Sequence, residues 1–318
     1  MIPTIEGFLI VRFSVFTAST PTWTPEEAVQ KLAAQGWDGI EWGLIDSPPA
    51  DVPGFWEGNL SHLPLSGIEE NIDRYRDLTA GAGLQISAIA GYSDASPENL
   101  DKIERLLAVT AAIGGRQVRV NSPMLTTGES YPALMTETRK HYAWIAERAA
   151  EHGVKALVET HHRLLTASGS AALRLLDGLD PDHVGVIHDL GNTVIEGQED
   201  YLGVFQMLGD YLAHIHVKNA VWEPLEGLDP EGATVFGHRW APLRRGQASV
   251  FAYFAALRLV GYDGWVTVED FSQELPLEER TLDNLTYLKA VEQRVAATPW
   301  EELRIDERSS RMNRILKQ

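Results

Sequence analysis

The chain has 318 residues, 44% of them hydrophobic, with 27 basic and 45 acidic side chains and a net charge of −18. That balance repels a phosphate backbone and argues against a nucleic-acid partner, and no stretch approaches the roughly 20 uninterrupted apolar residues of a membrane span. Cysteine is absent, which excludes a disulfide framework, a thiolate metal site and a cysteine nucleophile. Any metal must be held by histidines and carboxylates.

The opening MIPTIEGFLIVRFSVF has no cationic leader and carries Arg12 inside its apolar run. It reads as a first strand over 8–16 rather than a signal peptide, and a cytoplasmic location is expected. TPEEAVQKLAAQG follows as a helix, with Thr24 as cap, Pro25 in the first turn and Gly36 at the stop. A strand at 37–42 leads into a long connection, 43–66, rich in proline and aromatics (Pro48, Pro49, Pro53, Phe55, Trp56). Strands at 84–90 and 116–121 enclose SPENLDKIERLLAVTAAIGG, a helix with Ser96 as cap, Pro97 next, and Gly114 and Gly115 at its end. Further strands fall at 154–159, 183–189 and 212–217. A second long connection, 218–247, carries Trp222, His238, Arg239, Trp240, Arg244 and Arg245 before a last strand at 264–269. Eight strand-length runs alternating with helical patterns argue for parallel β/α units that close into one α/β barrel, with the active site at the strand C-termini. The expected organisation is a barrel domain over 1–298 and a C-terminal extension over 299–318. Long ordered loops on a catalytic rim serve as lids and binding walls, or as surface and oligomer contacts.

Four strand-type segments end in a metal-binding residue: ALVETHH supplies Glu159, VGVIHDLGN Asp189, AHIHVKN His216 and WVTVED Glu269. Three carboxylates and one imidazole suit a hard-to-borderline divalent ion. A single glutamate at such a position forms an internal ion pair as readily, but four buried together without a cation would be costly. Removing a proton from the carbon beside a sugar carbonyl makes an enediolate, which needs a cation close to both oxygens and a base at the C–H bond. Glu159 and Glu269 could flank the sugar, one taking the proton and the other returning it. In an elimination one base suffices and the second proton goes to a leaving group, which gives His161 or His162 more weight. On a continuing strand His161 faces the same way as Glu159, and His162 the opposite way unless the chain turns. Lys218, two residues after His216, projects toward the same mouth. His188 should point away from the barrel axis, and His214 reads as a hydrogen-bonded core histidine. Asn192 can bind a sugar hydroxyl or shape the loop after Gly191. Glu41, at the end of the second strand, and Arg119 and Asn121, near the end of the fourth, are substrate contacts or internal ion-pair partners.

The runs ALVETHHRLLTASGSAALRLLDGL, VGVIHDLGN, LAHIHVKN and GYDGWVTVED resemble the sugar phosphate isomerase/epimerase family of xylose-isomerase-like barrels, from about Trp23 to Val291. The resemblance implies a (β/α)8 TIM barrel and a divalent ion held by Glu159, Asp189, His216 and Glu269 on two neighbouring sugar oxygens. Manganese is implied first, with magnesium, cobalt or zinc in its place. It implies an isomerase or epimerase, and supports Lys218 as a group on a sugar oxygen. Asn219 stands where the family often has aspartate, and Asn192 where some epimerases carry a second histidine. Both departures weaken the epimerase mechanism in detail and keep a lyase open. Two lyases resemble this barrel: an inosose-type dehydratase and the alpha subunit of a C-glycoside deglycosidase, which acts on an oxidised sugar joined to an aromatic group. For the latter, Trp42, Phe55, Trp56, Trp222 and Trp240 could stack on the aromatic group or, equally, serve as core and interface. An oligomer is expected, and the deglycosidase branch implies a small second subunit. No glycine-rich phosphate cradle is present and Arg244–Arg245 is the one close basic pair on a rim loop, so an unphosphorylated sugar fits as well as its phosphate. The apurinic endonuclease branch of the fold needs more histidine ligands and a basic track, against the net charge. A sugar-binding barrel without catalysis would differ in having no turnover to lose.

Overall fold

The computed structural model describes residues 11–303. It contains strands β1 (Arg12–Phe16), β2 (Gly39–Gly43), β3 (Gln85–Asp94), β4 (Gln117–Asn121), β5 (Lys155–Glu159), β6 (Val184–Asp189), β7 (Leu212–Val217), β8 (Asn219–Leu228), β9 (Thr234–Ala241) and β10 (Trp265–Val268). The helices are α1 (Pro25–Gln35), α2 (Ile72–Gly81), α3 (Leu100–Ala112), α4 (Tyr131–His152), α5 (Gly169–Leu176), α6 (Leu190–Glu196), α7 (Tyr201–Leu208), α8 (Val250–Val260), α9 (Leu277–Ala297) and α10 (Trp300–Leu303). Eight strands close into a parallel barrel in the order β1-β10-β7-β6-β5-β4-β3-β2. These are the eight strands expected from the sequence, with residues 8–10 of the first lying outside the described residues. The last is closed by its neighbour: Glu269, one residue past β10, still donates its N–H to the Val217 carbonyl at 3.1 Å.

Alternate strand residues face the barrel axis or the surrounding helices. Val15, Val158, Val217 and Val268 belong to the apolar core, into which α1, α3, α4 and α8 also send their buried residues. The barrel interior is polar low down: Ser14 and Thr267 share a hydrogen bond of 2.6 Å, and His214 contacts Thr267 at 2.7 Å and Gln117 at 3.0 Å. His214 is therefore the core histidine the sequence indicates.

Helix α1 starts as its sequence dictates, on a capping box in which Thr24 and Glu27 satisfy each other's backbone N–H. The third unit differs. Ser96 makes no side-chain cap; Asp94 Oδ1 instead accepts from the Ser96 N–H and the Asn99 amide, both at 3.0 Å, and α3 begins only at Leu100 after a 3-10 turn. A carboxylate two residues upstream of the serine takes over its capping task.

The connection 218–247 is not an irregular loop: β8 and β9 pair antiparallel, with Trp222 opposite His238. Both strands are largely exposed, and Pro224 and Gly227 interrupt β8, so no one-sided alternation marks them. Their root is fixed by Asn219, whose amide donates to the carbonyls of Leu243 at 2.8 Å and Ala248 at 3.0 Å. An aspartate could accept from the Ala248 N–H, as Asn219 Oδ1 does, but could make neither donation. Gly246 permits this packing, since a Cβ there would lie 1.9 Å from Asn219 Cγ.

Trp42 is buried in the barrel wall and donates to Thr79 Oγ1 of α2 at 3.1 Å, so it cannot stack on a ligand at the mouth. Helix α10 packs Leu303 and Trp300 against the core, and residues 304–318 of the expected extension lie outside the described residues. Among the described residues no helix is long and apolar enough to cross a membrane.

Candidate active site

The four strand-end residues come from β5, β6, β7 and the turn after β10, neighbours in the barrel order. Asp189 is in register with His216, and Glu159 lies opposite Ile187, two residues before Asp189 on β6. The result is one compact cluster: each of Glu159, Asp189, His216 and Glu269 offers a ligand atom within 4.8 Å of all the others, and all four are buried. His216 Nδ1 faces the carboxylates, 3.2 Å from Glu269, 3.5 Å from Glu159 and 3.9 Å from Asp189.

Neighbouring residues aim these groups. Thr160 Oγ1 accepts the Asp189 N–H at 3.0 Å, and Thr166 Oγ1 donates to the Glu159 carbonyl at 3.0 Å. Asp189 Oδ1 caps α6 by accepting the Asn192 N–H at 2.7 Å, which leaves Oδ2 to the cluster. The Asn192 amide donates to Glu159 Oε1 and the Thr160 carbonyl, both at 3.2 Å, and its Oδ1 meets His162 Nδ1 at 3.0 Å. Its polar atoms are thus engaged within the protein, where its amide holds Glu159, and it is not among the residues lining the cavity. Glu41 is likewise not a substrate contact. It lies beneath the cluster, Oε2 2.9 Å from His216 Nε2, because it is the middle residue of β2 rather than its last, one level below the strand end.

Two cations close the arrangement. Arg119 Nη1 donates to Glu159 at 2.9 Å and to Glu269 at 3.4 Å. Lys218 pairs with Glu269 and lies 3.0 Å from Asp189 Oδ2. It approaches so closely because Gly191 has no side chain: a Cβ there would be 2.3 Å from Lys218 Cγ. Burial alone would raise Glu159, but Arg119, with His216 and Lys218, holds it well below the usual carboxylate range. Burial of Glu269 is likewise overcome by Lys218 and His216. Asp189 behaves oppositely: burial, reinforced by Glu269 and Glu159 against the pull of Lys218, pushes it up to about 7. Burial opposes charge on His216 and Lys218 too, yet Glu41 and Glu269 hold the imidazolium, and Asp189 and Glu269 the ammonium, above their ordinary values. The cluster thus holds protons that a divalent cation would displace.

The donor set fits such a cation. Three carboxylates and one imidazole nitrogen match a hard-to-borderline ion. His216 Nδ1 and Asp189 Oδ2 are buried without an aligned hydrogen bond, and both belong to the same cluster.

Above the cluster opens a cavity of about 710 Å³ whose lining includes Arg119, Asn121, Glu159, Lys218 and Glu269. His161 and His162 both line it, because the chain turns after β5, with Arg163 at φ +70, and stacks the two rings 4.3 Å apart. His161 Nδ1 is tied to the His162 carbonyl at 2.7 Å. His188 points outward to Tyr253 OH at 2.7 Å, as its place before Asp189 requires. The long connections do wall the mouth: Trp56 comes from 43–66, and His238 and Trp240 from the hairpin. Phe55 packs behind, on Phe271, and Trp222 is spent on the Val194 carbonyl. Arg244 and Arg245 pair with Asp283 and Glu274.

Sequence reasoning missed Tyr92, His62 and Phe271, all on the cavity wall. Tyr92 sits at φ +44, its ring 4.6 Å from the Arg119 guanidinium and its buried hydroxyl without a hydrogen-bond partner. A tyrosine inside a strand carries no signal of such a backbone; only the following register shift of β3 marks the place.

A model of the xylose isomerase-like TIM barrel family matches residues 29–291. An inosose dehydratase of Lacticaseibacillus casei is 24% identical over 264 residues, 77% of this chain and 82% of that protein. Among solved structures, a 3-keto-D-glucoside 4-epimerase from E. coli superposes with a TM-score of 0.66 at 18% identity, covering 88% of this chain and 99% of that one. A xylose isomerase-like TIM barrel protein from Mycobacterium smegmatis, in complex with magnesium, gives 0.64 at 19% identity, covering 91% of this chain and 98% of that one. The chain belongs to the xylose isomerase-like TIM barrel family.

Proposed function

We propose that the chain is a divalent-metal-dependent enzyme that removes a proton from the carbon beside a sugar carbonyl, with isomerisation or epimerisation as its outcome. The observation that carries this reading is the convergence of Glu159 and Glu269, which line a cavity, with the fully buried Asp189 and His216. Glu159, Asp189, His216 and Glu269 would hold the ion, manganese first, which when bound supplies positive charge beside the sugar oxygens and lowers the cost of an oxyanion. The remaining work falls to the chain. Glu159 and Glu269 are ionised and share Arg119, so either carboxylate can accept the carbon-bound proton; that carboxyl then returns it in an isomerisation, while an inversion at carbon requires the opposite carboxylate first to take up a proton from water and deliver that one. Arg119 and Lys218, held cationic, stabilise negative charge growing on the carbonyl oxygen. Trp56, Trp240 and Phe271 exclude water from the mouth.

A lyase outcome is the second reading, favoured by the dehydratase relative and by His161 on the cavity wall, where burial holds its ring neutral and able to act as a base. In a deglycosidase the same aromatic wall would receive the aromatic group, and a small second subunit would co-purify from the native source.

The decisive experiment incubates the metal-stripped protein, with manganese restored or withheld, in deuterated water with keto-sugars, inososes and 3-oxo-C-glycosides. Deuterium on the carbon next to the carbonyl, only with metal, is the expected result. Unchanged product mass apart from deuterium means isomerisation, and loss of water or an aromatic fragment means elimination. Equal turnover of a substrate with and without metal contradicts the proposal.

A further inference from the structure

Glu41, His214 and His216 bring together the donor types of a second metal centre beneath the first. Their arrangement points elsewhere. His216 Nε2 donates to Glu41 Oε2 at 2.9 Å, while the other ring nitrogen, Nδ1, is the one turned toward Glu159, Asp189 and Glu269. Nδ1 faces Glu159 and Glu269, which line the cavity, whereas Glu41 and His214 do not, so the solvent side of the ring is its Nδ1 side.

Glu41 is expensive for the fold. It is fully buried between Ile40 and Trp42, and its Oε1 has no hydrogen-bond partner. A carboxylate so placed costs more than an apolar side chain of similar volume would. What it gains is a hold on His216. His214, 3.4 Å from the same oxygen, is braced by Gln117 and Thr267.

Building on the metal site proposed above, we infer that Glu41 is a positioning residue for the metal: by accepting the Nε2 proton of His216 it leaves Nδ1 as the free donor, fixes the ring and strengthens it as a ligand. A metal-bound histidine that loses such a carboxylate partner typically binds its ion 10–100-fold more weakly.

The test is calorimetric titration of the metal-stripped full-length chain with Mn2+ alone, needing no substrate. The wild type is expected to bind one ion, Glu41→Gln about 10-fold more weakly and Glu41→Ala about 100-fold more weakly, with cooperative melting retained in Glu41→Gln. Glu41→Asp, which keeps the charge but shortens the reach, should also bind more weakly, and decides the matter should the other two fail to fold. Affinity equal to wild type in a folded Glu41→Gln or Glu41→Asp overturns the inference while leaving the upper metal site standing. Two ions in the wild type and one in Glu41→Gln overturn it in favour of a second centre. A wild type that binds no Mn2+ overturns both this inference and the site it rests on.

Discussion

The two ends of the barrel share eight strands and one core yet handle charge in opposite ways. At the strand N-termini a cavity of about 330 Å³ is lined by Arg12, Arg76 and Arg116, all exposed, beside the ends of α2 and α3 at Ala80 and Ile113. Arg12 lies over the Trp265 ring at 4.3 Å and Arg76 pairs with Asp73 at 2.7 Å. These cations stay in water, where an exposed ion pair such as Arg76–Asp73 is worth about 0–1 kcal/mol. At the C-terminal end six charged or ionisable groups, Arg119, Glu159, Asp189, His216, Lys218 and Glu269, are withdrawn from water, at a desolvation cost of several kcal/mol per ion. A fold selected for stability alone would treat both ends like the first. The buried, mutually compensated end is the one that holds the proposed active site.

The sharpest way to break this contrast is Glu159→Gln or Glu269→Gln. Each removes a base, a carboxylate of the cluster and a partner of Arg119, while keeping side-chain volume. Turnover in the deuterium assay should fall by about 10²–10⁴-fold or more. The melting temperature should move little, because the substitution also relieves crowding among three carboxylates. A purified variant with full activity would remove that residue from the catalytic role.

This end of the barrel was the more legible one. Each of the four residues sits at or next to the C-terminal end of a short, mostly buried strand, and a barrel offers such residues no other common destination than its mouth, so order along the chain became proximity in space. What stayed hidden depends on pairings between distant segments. Glu41 reads as a mouth residue from its place at a strand end, but its partner His216 lies 175 positions away. Asn192 resembles a loop residue free to reach a sugar, and only the fold shows its amide engaged by Glu159. The β8–β9 hairpin escaped because exposure on both faces erases the period-2 pattern that reveals buried strands.

Tyr92 tests the contrast at a residue with no sequence signal. Burial raises its phenol well above the ordinary value, so it remains a hydrogen-bond donor, and Arg119 beside it offers only donors in return. Holding a bulky residue at φ +44 costs on the order of 1–3 kcal/mol, a strain that recurs at ligand-binding positions. Tyr92→Phe should therefore lower kcat/KM by about 2–10-fold through one lost hydrogen bond to substrate. Stability should hold or rise slightly, since a buried unpaired hydroxyl is removed. Unchanged kinetics would assign Tyr92 to packing against Arg119 alone.

The smallest effect is expected at the opposite end. Arg116 lines the lower cavity beside Gln117, which is hydrogen-bonded to His214 and so to the layer beneath the metal cluster. That connection gives the substitution a route to the active site, and the exposed guanidinium argues that the route carries nothing. Arg116→Gln should leave the Mn2+ affinity and turnover within about twofold of wild type and shift stability by no more than about 0.5 kcal/mol, the usual effect of an exposed substitution. A tenfold change in Mn2+ affinity would mean that charge at the lower mouth reaches His216 through Gln117, His214 and Glu41, and the two ends would then be one electrostatic unit rather than two.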